Sequence, residues 1–564
     1  MHPCLYARDE AVNAVTPEFA RRFATVKARY FSRDPRLWPV FQDPGFARLN
    51  AFRSLHLPPE ARLAAWPDGA ARMADLTENM PVPAEMRDPA QPLEELLFAA
   101  ALSKDWENPS CVENVITMSA DPAIYGAQMG VLANPNLVYS EYAGVAEDLE
   151  KKVVRQIARL AGYDPQRATG IFTQGGTFCN LYGYLLGLRK SLPEAKHKGL
   201  GHYQDYRFVN SQGGHYSNIT NLSLLGVDIE NKTIRIKVGD NNDIDLADLE
   251  RTLTACFALK HVVPTIMLTM GTTDTFGVDW VKPVCELRDR LCERFEIPVK
   301  PHIHVDAAIG WSMIFFLEYD FERNPLGINE ATLAGIRRNT ERFAQLRYAD
   351  SFTVDFQKWG YVPYTSSLVM IKNADDLRAM ENDPENFSYF ERDIQGQTHL
   401  QSTIECSRGA SGLFGAYAAL NYMGVEGYQI TLAHSLQNAN YFRFRLGQLA
   451  NVKLVAQENQ GPSVGFKLYN PEWVADPEEE FAFELARSPD EAYRQRLQRN
   501  TAFHRDAFKR RGKVGLYTNW VEAIARSEYD AGGKYSYIAG EKAVFMNPAC
   551  SRREIDLFVA KLMG

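Results

Sequence analysis

Several things are missing from this 564-residue sequence, and each absence narrows what the chain can do. No apolar run approaches the ~18 to 20 residues that a bilayer-spanning helix requires; residues 311–317 (WSMIFFL) are typical of what is present. Nowhere do Lys and Arg cluster into a polybasic stretch, and the net charge is −8, so neither a nucleic acid nor a membrane surface is expected as a partner. The first ten residues include Asp9 and Glu10 and lack an apolar stretch followed by small residues. No secretory leader is therefore expected, and the expected location is the cytoplasm. The eight cysteines, Cys4, Cys111, Cys179, Cys256, Cys285, Cys292, Cys406 and Cys550, form no C-x-x-C pair and no Cys/His group at metal spacing. They are expected to be reduced, mostly buried thiols, with no metal site. Internal repeats and low-complexity tracts are also lacking.

What remains is the composition of an ordinary soluble globular protein, 45% hydrophobic and 23% charged, long enough to bury a large core. Residues 1–120 read as helices separated by proline breaks. At Pro58-Pro59 one helical pattern stops and Glu60-Ala61-Arg62-Leu63 begins another, as expected of a residue that ends a helix but is tolerated in a first turn. From 121 to 405 short apolar β-rich runs alternate with helical stretches, the signature of an α/β domain. The strands are expected at 207–211 (RFVNS), 262–269 (VVPTIMLT), 302–306 (HIHVD), 351–355 (SFTVD) and 367–371 (SLVMI). The more continuously apolar of these suit a sheet covered on both faces by helices. Residues 406–564 read as a smaller C-terminal α+β domain, with a long helix from Gly409 to about Met423 and an amphipathic helix at 552–562.

Five segments fall where open α/β sheets place their ligands, at strand ends and helix starts. Thr173-Gln174-Gly175-Gly176-Thr177 precedes a helical run, so Gly175, Gly176 and the Thr177 hydroxyl can offer a phosphate exposed amides and the positive end of a helix. His215, in Gly213-Gly214-His215-Tyr216-Ser217, has an imidazole that can lie flat on an aromatic ring. Gly271-Thr272-Thr273 puts small hydroxyl residues, Thr273 among them, past the end of a strand. In His304-Val305-Asp306-Ala307-Ala308 a carboxylate emerges beside small residues, where it can hold a pyridine nitrogen protonated while Ala308 leaves room for a flat ring. Lys358 follows a β-run within Asp355-Phe356-Gln357-Lys358-Trp359-Gly360-Tyr361-Val362-Pro363-Tyr364; desolvation there is expected to lower its pKa and favour imine formation. Each segment alone has a plain structural reading as a turn, a satisfied histidine, a helix cap or a surface lysine. Their occurrence together points to one site.

In kind and in order these segments, with Ser407-Arg408 after them, resemble the pyridoxal-phosphate-dependent group II amino-acid decarboxylases, which include the aromatic amino-acid, glutamate and tyrosine decarboxylases. The likeness runs through residues 120–430, with a weaker echo at 545–548. It implies fold-type I, the aspartate-aminotransferase-like α/β architecture, with a large mostly parallel-sheet domain and a smaller C-terminal α+β domain. A homodimer with active sites at the subunit interface follows from it, as does pyridoxal 5'-phosphate as cofactor. By the resemblance Lys358 carries the cofactor, Asp306 pairs with its ring nitrogen, His215 and Ala308 flank the ring, and Gly176, Thr177 and Gln357 serve the phosphate. The reaction implied is displacement of Lys358 by an L-amino acid, loss of CO2 and protonation to release an amine. The proton is expected from the polar segment 386–401, with Tyr389 and His399 as candidate acids.

Three departures from the family pattern stand out: Gln357 where histidine is usual, Trp311 where a small residue is common, and Gly360-Tyr361-x-Pro363, which resembles the sphingosine-phosphate lyases. The substrate stays open. The N-terminal extension and the Gly-Tyr-x-Pro-Tyr run are similar to bacterial tyrosine decarboxylases and favour an aromatic substrate. Gln128, near where glutamate decarboxylases bind a side-chain carboxylate, favours aspartate, glutamate or a sulfinate. A carbon–carbon lyase acting on a phosphorylated amino alcohol is the rival enzyme, and a non-catalytic scaffold the other alternative; a scaffold would need neither Lys358 nor Asp306.

Overall fold

The computed structural model describes residues 10–78, 81–88, 90–382, 399, 401–486, 490–527 and 536–563. Among these, seven strands make one sheet and four make another. In chain order the first seven are β1 (Thr169–Thr173), β2 (Phe208–Ser211), β3 (Thr233–Ile236), β4 (Thr265–Thr269), β5 (His302–Asp306), β6 (Ser351–Asp355) and β7 (Ser367–Ile371). They lie in the order β1-β7-β6-β5-β4-β2-β3, and β7 alone runs antiparallel to its neighbours. Strands β4 to β7 are buried at every residue, as strands covered on both faces should be, although β5 and β6 alternate polar with apolar residues. Strands β5, β6 and β7 occupy the expected residues. β4 starts at Thr265 and not at 262, because Pro264 has no amide to give the ladder. The second sheet contains β8 (Val452–Val455), β9 (Ser463–Leu468), β10 (Asn519–Arg526) and β11 (Tyr537–Val544), in the order β10-β11-β9-β8 and wholly antiparallel.

Two expectations need revision. Strand structure begins only at Thr169, since residues 121–161 fold as the helices Asp121–Ala133, Ser140–Ala143 and Ala146–Ala161. The last of these buries Val153, Val154, Ile157, Ala158 and Ala161 along one stripe, a period that belongs to a helix on the sheet. The helix expected to end near Met423 continues as well: Ser411–Leu446 is broken only at Gly424, whose φ of 62° redirects the chain without ending the helical course. Its second half joins two cores. Ile430, Leu432, Ala433 and Leu436 pack with the large sheet, whereas Ala439, Phe442 and Leu446 pack with Phe466, Phe545 and Phe558 beside the small one. Upstream, proline-punctuated helices run from Glu10–Asn13 to Ala90–Leu102, including Pro59–Ala65 at the expected break. No helix of the described residues is long and apolar enough to cross a membrane.

The helix Gly176–Ser191 positions the site, because it lies across the middle of the large sheet with its N-terminus at the strand ends. It comes that close through glycines one turn apart. A Cβ on Gly183 would overlap the ring of His304 in β5, and one on Gly187 would overlap the Pro264 carbonyl and the Thr265 side chain. Gly183→Ala is therefore expected to lower stability by about 1–3 kcal/mol through overpacking, read as a shift of the urea midpoint. An unchanged midpoint would show that helix and sheet can separate without cost.

Candidate active site

Parallel strands deliver their C-terminal ends to one edge of a sheet, and here that edge collects all five sequence segments. β1 leads into Gly175–Thr177, β2 into His215 and β4 into Gly271–Thr273; β5 ends on Asp306 and β6 on Asp355, three residues before Lys358. These segments line a cavity of about 590 Å3, which also receives Asn114 from the N-terminal part, Arg526 from β10 and Lys542 from β11. Gly175 caps the helix Gly176–Ser191 at φ 131°, a conformation that favours glycine. Gly176 is confined by Asp355: an added Cβ would stand 2.7 Å from its Oδ2.

The two carboxylates at the strand ends have separate sets of partners. Asn180 donates through Nδ2 to Asp306 Oδ2 (2.9 Å), and the Ala308 amide donates to Oδ1 (3.2 Å). Asn180 is itself oriented, for its Oδ1 accepts from Thr353 Oγ1 (2.8 Å) and lies 3.2 Å from His304 Nε2. The ring of His304 is completed by Ser351 Oγ, 2.7 Å from Nδ1. Burial holds the pKa of His304 well below the ordinary histidine value, so the ring acts as a neutral spacer. Asp355 accepts from Ser367 Oγ (2.6 Å) and lies 3.1 Å from Lys358 Nζ.

Lys358 departs from the expectation of a lowered pKa. Burial does work against its charge, but the carboxylates of Asp355 and then Asp306 outweigh burial, and the pKa is raised. At His215 burial prevails over the pull of Asp306 and the pKa falls. The Ser217 amide donates to His215 Nδ1 (3.2 Å), which fits a neutral ring protonated at Nε2.

Thr177, Thr273, Ala308 and Gln357 also line the cavity. The amide of Gln357 is engaged at both ends, donating to Ser367 Oγ (2.8 Å) and accepting from the Ser366 amide (2.8 Å). This braces the turn before Lys358 against the start of β7. Gln128 does not line the cavity; it lies on the helix Asp121–Ala133, which packs against Ser411–Leu446. His399 is also elsewhere, under the electrostatic influence of Glu150 and Arg408, a buried ion pair 2.7 Å apart. Tyr389 lies outside the described residues. Trp311 does not narrow the cavity: it is fully buried, with its Nε1 donating to the Asp355 carbonyl (3.2 Å). The residues that sequence reasoning missed are Asn180, Asp355, Arg526 and Lys542. Asn180 follows Gly176 by one helical turn, a spacing that would have put it on the same face; for Arg526 and Lys542 no local signal exists.

The residues present fit pyridoxal phosphate. A glycine cradle at a helix N-terminus suits the phosphate, Asp306 retains acceptor capacity for a ring N–H, and Lys358 supplies the amine.

The pyridoxal-dependent decarboxylase conserved domain matches residues 90–469. The chain is 25% identical over 353 residues to an aspartate 1-decarboxylase of Aliivibrio fischeri, covering 58% of each protein. It is 23% identical over 344 residues to the L-aspartate decarboxylase dtxS4 of Metarhizium robertsii, covering 60% of this chain and 62% of that one. It thus spans about three fifths of the length of these curated relatives. Among solved structures it resembles the apo form of mouse CSAD, with a TM-score of 0.70 at 18% identity over 93% of this chain and 98% of the other. Oryza sativa TDC with PLP and tryptamine gives a TM-score of 0.68 at 14% identity over 97% and 99%. These likenesses bear out the fold-type I architecture.

Two measurements test the geometry. Asn180→Ala removes a hydrogen bond to a buried carboxylate and should cut turnover about 10- to 100-fold while the fold, followed by circular dichroism, is kept; full activity would detach Asn180 from the site. Only the unprotonated amine attacks the cofactor aldehyde, so reconstitution of the apo-protein should speed up as pH rises. Asp355→Asn removes the main support of the Lys358 ammonium and should move that rate profile to lower pH. A profile that stays in place would show that Asp355 does not govern the lysine.

Proposed function

The chain belongs to the family of pyridoxal-dependent decarboxylases, and we propose that it releases CO2 from the α-carboxylate of an L-amino acid with an acidic side chain, leaving the corresponding amine. When bound, pyridoxal phosphate supplies the electron sink for the pair left by the departing carboxylate. Gly175, Gly176 and Thr177 hold its phosphate through the first turn of Gly176–Ser191. Asp306, oriented by Asn180, keeps a proton on the ring nitrogen. Lys358 would hold the cofactor through its amine, and Asp355, 3.1 Å from its Nζ, would keep that side chain in place. His215 and Ala308 bound the ring. Of the two candidate acids, the proposal keeps Tyr389, since His399 stands beside Glu150 and Arg408. It also includes the three-part division at 120 and 405 and a cytoplasmic location, both read from the sequence, and a homodimer with active sites at the interface, which the family resemblance supports.

The observation that favours an acidic substrate is the cavity wall built by β10 and β11, which carries Arg526 and Lys542. The relatives named as aspartate decarboxylases agree with it. The aromatic run after Lys358, which had favoured a tyrosine-like substrate, turns mostly into the core. Trp359 packs edge-on against Phe276 and Tyr361 against Phe31, both fully buried, and only Tyr364 lines the cavity.

The decisive assay is CO2 release from the cofactor-loaded protein against a panel of L-amino acids, with the absorbance of the lysine-bound cofactor followed alongside. Release from aspartate, glutamate or a sulfinate analogue is expected. Cofactor absorbance with no CO2 from any amino acid would favour the carbon–carbon lyase instead. Lys358→Ala should abolish both absorbance and turnover. Asp306→Asn should keep the fold and lower the rate by orders of magnitude; undiminished activity in it would remove the ring-nitrogen assignment.

A further inference from the structure

We propose that Arg526 determines the specificity of this cavity by binding the negative charge on the substrate side chain, and that Asp274 withholds Lys542 from that task. The inference rests on the acidic-substrate reading and deepens it, since two cations besides Lys358 line the cavity and the structure treats them differently.

Lys542 is committed. Its side chain is 5% exposed, its Nζ lies 2.7 Å from Asp274 Oδ1, and Asn114 Oδ1 is 3.5 Å away. Asp274 stands on a braced turn: the Gly277 amide donates to Thr272 Oγ1 (2.7 Å), and Ser463 Oγ donates to the Thr273 carbonyl (3.0 Å). The ammonium is buried and held against a carboxylate that is itself 36% exposed, so Lys542 is directed toward Asp274 and is less free to meet an incoming anion.

Arg526 has no such partner. It lines the same cavity at the end of β10, its Nε is shielded from solvent without a hydrogen-bond acceptor, and no carboxylate among the described residues pairs with it. A shielded donor left unmatched is costly, and a ligand acceptor would relieve that cost. The guanidinium is a planar fork suited to a carboxylate or sulfinate. The substrate class that follows is an amino acid whose side chain ends in one such monoanion.

The test is steady-state decarboxylation by the holoenzyme of L-aspartate and L-glutamate, with L-asparagine and L-glutamine as neutral isosteres, for the wild type and for Arg526→Gln, Arg526→Lys, Asp274→Asn and Lys542→Gln. For the acid that the wild type prefers, Arg526→Gln should raise KM about 10- to 100-fold, with a much smaller change in kcat and unchanged cofactor absorbance. Arg526→Lys should recover part of that loss, and Asp274→Asn, which releases Lys542 as a second anchor, should lower KM. The inference is overturned if Arg526→Gln keeps the wild-type KM, or if Lys542→Gln and not Arg526→Gln abolishes the preference for acids. A wild type that uses no acidic amino acid defeats the substrate reading before any variant is made. One that prefers a cationic side chain and loses it in Asp274→Asn reverses the assignment.

Discussion

A carboxylate can stand at the buried end of a strand only if donors meet it there, and this chain places two side by side, Asp306 and Asp355. Leaving either without partners would cost several times the worth of an ordinary hydrogen bond. The demand spreads outward from Asp306 to Asn180, from Asn180 to Thr353 and His304, and from His304 to Ser351. It reaches the packing of helix on sheet, since Gly183 has no side chain where the His304 ring needs the space. The pairing of Asp306 and the fit of the central helix are thus one problem with one solution.

Strand direction explains why so many segments meet. β1, β2, β4, β5 and β6 all end at the same edge, and the single antiparallel strand, β7, starts there. The reversal gives Ser366 and Ser367 to the site, where they hold Asp355 and Gln357 in the stretch that leads to Lys358. A glutamine fits this bracing role because it donates and accepts at once without carrying charge.

The small sheet closes the cavity from the other side. β11 turns Lys542 toward the Gly271–Thr273 turn, and β10 contributes Arg526. The large sheet therefore brings Asp306, Asp355 and Lys358 to the cavity, while the small one adds Arg526 and Lys542, the two sheets being joined by the helix that continues past Gly424. In such a division one fold can keep its reaction while its substrate changes.

Strands β5, β6 and β7 were legible residue by residue, β7 because it is continuously apolar after Ser367, and β5 and β6 because β-branched and aromatic residues alternate with small or polar ones up to a terminal Asp. The meeting of Lys358, Asp306, His215 and the glycine turn around one cavity was legible too, since each sits within a few residues of a strand end. The helices at 121–161, the continuation beyond Met423 and the inward turn of Trp359 and Tyr361 were not, since an apolar stretch does not name the layer against which it packs. Nor could spacing show that Gln128 and His399 lie away from the cavity, that two carboxylates would hold the Lys358 pKa up against burial, or that Asp274 would claim Lys542. Those depend on distances between residues far apart in the chain. The sequence by itself determined the cofactor chemistry, which needs particular residue types at strand ends; only the tertiary structure decided which charges face the substrate, because electrostatic partners are chosen by proximity in space.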